Sequence, residues 1–412
     1  MNAIYSSKYT GSDRLGRYYT NIDVGHLLVS QMTSETPQKL IDLGAGDGIL
    51  SDAAFKRWQN IEILTVDVDR FASIRLRNIF DQTGANYMHI QADALSYRLP
   101  SVVYSSFGNI DSAVCNPPFI TPKWRKGFAR ILSEAGFGGC IPINGSIDSA
   151  LLFLAQNLRL ISEGATLGII LPDSLVSSAK YQKFRQKLLQ QYKVQKVIRL
   201  PRRSFSGTDA QAFILIVSKV AAATTIPLFE FSDKGELSQM LTVDVKKAIH
   251  RMDYAYHAHS YAYKNNSIAE ISLQSIAIDM KRGSVSSSIA RNAEHSILHT
   301  SDMTPSICGL WCDFSSFNQG IESGESIVRA RPGDILIARV GRNLESKVVG
   351  VKAGFPAITD CIYKIRVPEQ YQDQLLIQLS SPQGNAWLAS RAYGVGAKQI
   401  TKTDLLTFSL LL

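Results

Sequence analysis

No stretch of the sequence reaches the roughly 18 consecutive apolar residues that a membrane-crossing helix needs. The opening residues, MNAIYSSKYTGSDRLGRYYT, also lack the short apolar segment of a secretory signal, so a cytoplasmic location is expected. Cysteine is scarce: Cys115, Cys140, Cys308, Cys312 and Cys361 are an odd number without framework spacing, which suits a reducing compartment. Cys308 and Cys312 form a C-x₃-C pair, but no second pair or H-x₃-H follows, and two ligands do not make the four of a structural zinc site. No metal is therefore expected. G-x-x-x-x-G-K-[ST] is absent, which excludes a phosphate-gripping ATP loop, and the glycine spacing departs from G-x-G-x-x-G, which argues against a dinucleotide. Internal repeats and long low-complexity tracts are missing as well.

What is present describes a globular chain. Of its 412 residues 45% are hydrophobic and 19% charged, enough to bury proper cores, and the length suits two domains of about 100–200 residues each. The net charge of +9 is uneven. Residues 1–225 carry 25 Lys and Arg against 17 Asp and Glu, whereas residues 226–412 carry 19 against 18. The excess bunches in TPKWRKGFAR and KYQKFRQKLLQQYKVQKVIRLPRR. Such clusters often form solvated helix faces; beside the motifs below they also suit an anionic polymer such as nucleic acid.

From Lys39 the pattern alternates strand and helix: KLIDLG, then the glycine turn and helix GAGDGILSDAAFKRW, then strand IEILTVDVD and helix RFASIRLRNIF. YMHIQAD and IDSAVCN read as two further strands, SALLFLAQNLRLIS as a helix, and TLGIILP, KVIRLP and AFILIVSK as strands. The alternation predicts an α/β domain, a doubly wound sheet covered on both faces, over residues 1–225. The rhythm breaks near AAATTIP. Residues 226–412 read as a second domain, mixed α/β or mostly β, with short strands such as RPGDILIARVG and AITDCIYKIRV.

Ligand chemistry gathers at the strand ends. In DLGAGDG the glycines Gly44 and Gly46 let the backbone approach a ligand, and the next helix presents its N-terminus. VDVD places Asp67 about 20 residues on, where an acid can take two ribose hydroxyls, and QAD places Asp93 where it can accept from an adenine amino group. Each Asp alone fits a cap or loop; together they favour a nucleoside cofactor. NPPF comes after the fourth strand on the same sheet edge. The Asn116 side chain and the Pro117 carbonyl are acceptors, neither proline can donate, and Phe119 offers a flat apolar face. Two acceptors and a ring describe a receptor for an aromatic amine; the plainer reading is a strand-to-loop turn.

These motifs resemble those of S-adenosylmethionine-dependent methyltransferases acting on amino groups, and most closely the gamma-type DNA adenine methyltransferases typified by the TaqI enzyme. The resemblance runs from about Arg14 to Lys219 in family order. It implies a class I methyltransferase fold, with Thr20 of RLGRYYT holding the methionine carboxylate, although Asn21 stands where the family usually has proline. It implies that Asp42 and the glycine turn face the cofactor's amino-acid part, that Asp67 binds its ribose, and that Asp93 and Phe153 hold its adenine. NPPF becomes the catalytic tetrad, and Phe205 of RLPRRSFSGTDAQAFILIVSK the aromatic that stacks on the target base. PGDILIARVG and YGVGAKQITKTDLLTFSL are similar to segments of type I restriction specificity subunits, which implies a DNA target-recognition role for residues 226–412.

The implied chemistry is methylation of the exocyclic amino group of a flipped-out adenine in double-stranded DNA. Asn116 and Pro117 would hold that amino group and Phe119 and Phe205 would sandwich the base, with no covalent intermediate. Cys115 precedes the motif and reads as a buried strand residue, not a nucleophile. The sequence offers no nuclease cluster of its own, so a stand-alone modification enzyme is expected, with a separately encoded restriction endonuclease as partner or none. Two alternatives stand beside this reading. NPPFI also resembles enzymes that methylate RNA or protein glutamine side chains, and a non-catalytic DNA-binding specificity protein could keep the fold.

Overall fold

The computed structural model describes residues 22–412 except 82–83, 141–145, 203, 206–209, 263–268, 293–296, 319–326 and 395–396. Thr20 lies outside the described residues. The chain divides into two compact units between Tyr254 and Ala255.

In the first unit the alternation read from the sequence takes the order α1 (Ile22–Gln31), β1 (Lys39–Leu43), α2 (Ile49–Arg57), β2 (Glu62–Asp67), α3 (Ala72–Phe80), β3 (Tyr87–Gln91), α4 (Leu99–Phe107), β4 (Ile110–Cys115), α5 (Lys126–Glu134), α6 (Ser149–Leu160) and β5 (Ile161–Pro172). After these come α7 (Asp173–Ser177), α8 (Gln182–Gln191), β6 (Lys193–Arg199), β7 (Ala212–Ser218), β8 (Thr225–Glu230) and β9 (Leu241–Asp244). The strands make one nine-stranded sheet in the order β3-β2-β1-β4-β5-β7-β6-β8-β9. β3, β2, β1, β4 and β5 are parallel, as crossover helices require, whereas β7 runs antiparallel between β5 and β6. The link from β6 to β7 spans only residues 200–211, and the chain turns back antiparallel.

Side-chain alternation sends each strand into two cores. Ile41, Leu64, Val66, Ala113 and Cys115 pack on one face, with Val103, Phe128 and Leu151 of α4, α5 and α6. Leu40, Ile63 and Val114 pack on the other, with Leu28, Ala54 and Leu76 of α1, α2 and α3. The sheet is thus covered on both sides, and the ends of β1 to β4 all open on one edge.

The observed division falls later than the expected break after residue 225. β8 pairs parallel with β6 and β9 antiparallel with β8, so residues 225–244 extend the first sheet. The fully buried Arg185 of α8 ties down the segment beyond β9: Nε donates to the Ile249 carbonyl at 2.9 Å and Nη2 to that of His250 at 2.6 Å. An ion pair from Arg199 of β6 to Asp253, at 2.7 Å, fixes the last turn.

The second unit is mixed α/β. Its five-stranded sheet runs Asp279–Arg282, Ile362–Arg366, Ile335–Ala338, Val348–Ala353, Trp311–Asp313. Helices Glu369–Ser380 and Pro382–Arg391 cover one face, where Leu375, Leu379 and Trp387 join Ile335, Ile337 and Ile365 in a core. PGDILIARVG, from Pro332, and YGVGAKQITK, from Tyr393, are paired: Val340 lies opposite Gln399 and Gly341 opposite Lys398. Asp334 of the first stretch is fully buried and held by Arg366 at 2.7 Å.

Candidate active site

β1 ends at Leu43, and the chain must leave the sheet for α2. Gly44 and Gly46 make the turn at φ of +80° and +53°, a region costly to residues with a Cβ. A Cβ on Gly44 would also come within 3.1 Å of the Phe153 ring. The turn is stitched to β2: Gly44 N–H donates to the Val66 carbonyl at 2.8 Å and Gly46 N–H to Asp67 Oδ2 at 2.8 Å. The other Asp67 oxygen accepts from Asp69 N–H at 2.8 Å. Each carboxylate oxygen has a second lone pair, so Asp67 holds the turn and keeps capacity for a ligand's hydroxyls.

Asp42 sits one residue before the end of β1 and is 1% exposed. Ser51 of α2 donates to its Oδ2 at 2.7 Å, whereas the buried Oδ1 has no hydrogen-bond partner among the described residues. Burial pushes the carboxyl up to about 7, the Ser51 hydroxyl pulls it down, and the nearby Asp67 charge raises it further. A buried acceptor without a donor is what a cationic or N–H ligand group would complete.

This residue gives a first expected result. A folded-state value raised above the unfolded 3.8 means that the native protein holds the proton more tightly. The resulting stabilisation is complete below the unfolded value and is lost as pH rises through about 7. Denaturant unfolding at pH 5 and pH 8, compared between wild type and Asp42→Asn, will show wild type losing on the order of 2–4 kcal/mol more than the variant on going to pH 8. Equal pH dependence in the two proteins would contradict it.

Asp93, beyond β3, accepts from Leu95 N–H at 2.9 Å through Oδ1, while Oδ2 is ion-paired with Arg125. Arg125 belongs to the basic stretch after NPPF, so the carboxylate expected to meet an adenine amino group also meets a cation from the neighbouring loop. At the end of β4, Asn116 is half-buried and Pro117 buried. Cys115, just before them, donates its thiol to the Leu43 carbonyl at 3.1 Å, and burial pushes that thiol well up, away from thiolate chemistry.

These strand ends surround a cleft of about 180 Å³. Asp42, Gly44, Gly46 and Asp67 line it from β1 and β2; Asp93, Asn116 and Phe153 line it from β3, β4 and α6. Seven residues expected from the sequence thus share one cavity. Phe119 and Phe205 are also brought together, with ring centroids 6.3 Å apart, but edge-on at 69°. Phe205 is 3% exposed, so a base held flat between the two rings requires one of them to turn.

Three participants were not read from the sequence. Ser51 reaches Asp42 from the first turn of α2, and Arg125 reaches Asp93. Ser149, at the first position of α6, binds the turn that carries Phe119. The only local signal for Ser149 was the cap signature of Asp148, whose side chain accepts from Ala150 N–H at 3.2 Å.

The strand order, with antiparallel β7 set between β5 and β6, and the acid-lined cleft at the ends of β1 to β4 define a class I S-adenosylmethionine-dependent methyltransferase fold. Residues 5–282, more than half of the chain, match the N-6 DNA Methylase family, and the chain belongs to it. It is 26% identical over 224 residues to the type I restriction enzyme MpnII methylase subunit of Mycoplasma pneumoniae, a match covering 50% of this chain and 40% of that protein. It is 29% identical over 117 residues to ribosomal RNA large subunit methyltransferase G of Magnetococcus marinus, covering 26% of this chain and 29% of that one. The chain therefore spans less than half the length of either curated relative. Among solved structures, the type IIG restriction endonuclease BpuSI aligns with 96% of this chain and 59% of its own, at a TM-score of 0.53 and 14% identity, a likeness of fold.

The residues present fit the family's cofactor. Asp42 Oδ1, without a hydrogen-bond partner among the described residues, suits its cationic amino-acid part, the remaining lone pairs of Asp67 its ribose, and Asp93 with the Phe153 ring its adenine.

Proposed function

We propose that the chain methylates the exocyclic amino group of adenine in double-stranded DNA, using S-adenosylmethionine. The observation that carries this reading is the sharing of one cleft by Asn116 and the three acids, so that an amine receptor adjoins a nucleoside site. The cofactor, when bound, supplies an electrophilic methyl group on a sulfonium. The chain's own residues present the acceptor. The Asn116 side-chain oxygen and the Pro117 carbonyl accept the two N–H groups of the adenine amine, which draws its nitrogen out of conjugation and orients its lone pair. Phe119 and Phe205 hold the extruded base by its faces once the edge-on pair has opened. In the gamma-type arrangement, Thr20 would take the methionine carboxylate.

DNA is favoured as the polymer by its complement on the chain. Lys123, Trp124, Arg125 and Lys126 are exposed directly beyond NPPF and present cations and a ring beside the cleft. Residues 255–412 are proposed as the target-recognition domain; the antiparallel pairing of the two stretches that resemble specificity subunits supports this. A role in a restriction-modification or related defence system, in the cytoplasm and with a separately encoded endonuclease, is supported by the likeness to a type I methylase subunit. The relative that acts on ribosomal RNA keeps RNA as the second reading.

Transfer of labelled methyl groups to unmethylated duplex DNA, with RNA and a cell-protein extract as parallel acceptors, tests the proposal. Label is expected in DNA. Label confined to RNA or protein would keep the amine receptor and overturn the role given to residues 255–412.

A further inference from the structure

We infer that Ser149 is a positioning residue of the methyl-transfer site, clamping the NPPF turn on both sides of Phe119. Ser149 is 1% exposed and opens α6. Its hydroxyl donates to the Pro118 carbonyl and accepts from Ile120 N–H at 3.3 Å. Its own N–H donates to the Ile120 carbonyl at 2.9 Å. One buried residue therefore holds the backbone immediately before and immediately after Phe119. Pro118 and Ile120 both line the cleft, so the clamp acts at its wall and not at a distant surface.

The arrangement divides the labour of the two prolines. The Pro118 carbonyl is committed to the protein, which sets the plane of its peptide with Phe119. With that plane fixed, the turn that carries Pro117 and the cleft-lining Asn116 has less freedom to shift. Prolines cannot brace a turn by donating, so a donor must come from elsewhere in the chain, and α6 brings it. The anchor is itself anchored. Asp148, which caps α6, accepts from Ser174 Oγ at 2.8 Å, and its own N–H donates to the Tyr181 hydroxyl at 3.1 Å. Because α6 also carries Phe153 into the same cleft, one helix registers the cofactor wall against the amine receptor. The inference deepens the proposed reaction and rests on it.

Ser149→Ala removes both hydroxyl bonds and leaves the backbone bond. In the full chain, single-turnover methyl transfer to unmethylated duplex DNA is expected to fall about tenfold or more. Binding of S-adenosylhomocysteine, measured by calorimetry, is expected to stay within about threefold of wild type. Hydrogen exchange at the Ile120 amide is expected to quicken, and Ser149→Thr, which restores the hydroxyl, to recover most of the rate. Unchanged Ile120 exchange overturns the contact; quickened exchange with an unchanged rate overturns the positioning role. So does a rate that falls only in step with ligand binding. Should the alanine variant fail to fold, Ser149→Cys fills the same space with a weaker donor and must give an intermediate rate. A wild-type chain that moves no label to DNA overturns the DNA reading instead; the Ile120 readout still judges the clamp, and the rates are then scored on the acceptor that wild type does methylate.

Discussion

Asn116→Ala will lower methyl transfer about a hundredfold or more while leaving cofactor binding within about threefold of wild type. The reasons are location and chemistry. Asn116 succeeds the last residue of β4 and lines the cleft beside the three strand-end acids. Its amide oxygen and the Pro117 carbonyl are the acceptors proposed for the incoming amine, while Pro118's carbonyl already accepts from Ser149. Losing an acceptor that binds more tightly as positive charge grows on the amine removes transition-state stabilisation selectively. The turn itself is expected to survive, because its two prolines and the Ser149 bonds to Pro118 and Ile120 remain. Single-turnover rates and calorimetric titration of the same variant provide the check. A fully active variant, or one whose rate falls only in step with cofactor affinity, would contradict this assignment.

Asp67→Ala is expected to weaken cofactor binding about a hundredfold or more. The carboxylate is 6% exposed and does two things at once. It accepts from Gly46 and Asp69 N–H groups at 2.8 Å each, fixing the glycine turn, and it has lone pairs left for two hydroxyls. A hydrogen bond to a charged acceptor contributes about 1.5–3 kcal/mol, so losing two from ligand to protein already exceeds a hundredfold. Release of the Gly46 N–H adds to the loss by freeing the turn. Asp67→Asn keeps one acceptor oxygen and is expected to lie between. Calorimetric titration with S-adenosylmethionine decides the matter, and an unchanged affinity in the alanine variant would rule out the ribose-binding role.

Much of this site was legible because it is local. The runs KLIDLG, IEILTVDVD and IDSAVCN are buried strands whose last residues must emerge together on one edge of a parallel sheet, so Asp42, Asp67 and Asn116 could be placed side by side from chain order alone. Helices α4 and α5 were not legible, since LPSVVYSSF is rich in β-branched and serine residues, and KGFARILSE begins inside a basic cluster. The domain boundary came out early because β8 and β9 look like any short strands; the chain beyond them is held to the first unit by Arg185 and Arg199, which reach partners 64 residues and 54 residues away. The same limit hid the Ser149–Pro118 and Arg125–Asp93 contacts, whose partners stand 31 and 32 residues apart. Pairings of that range leave no periodic trace in the chain. The edge-on meeting of Phe119 and Phe205 was equally out of reach, because ring orientation is set by packing.

The amine received at NPPF is proposed to be the amino group of adenine in DNA. This is tested most directly by incubating the chain with S-adenosylmethionine and unmethylated duplex DNA, then digesting the DNA and identifying its nucleosides by mass spectrometry. N6-methyl-2′-deoxyadenosine is expected, absent when Asn116 is replaced by alanine. Methylated cytosine, or unmodified DNA from a chain that methylates RNA or protein in parallel, would contradict it.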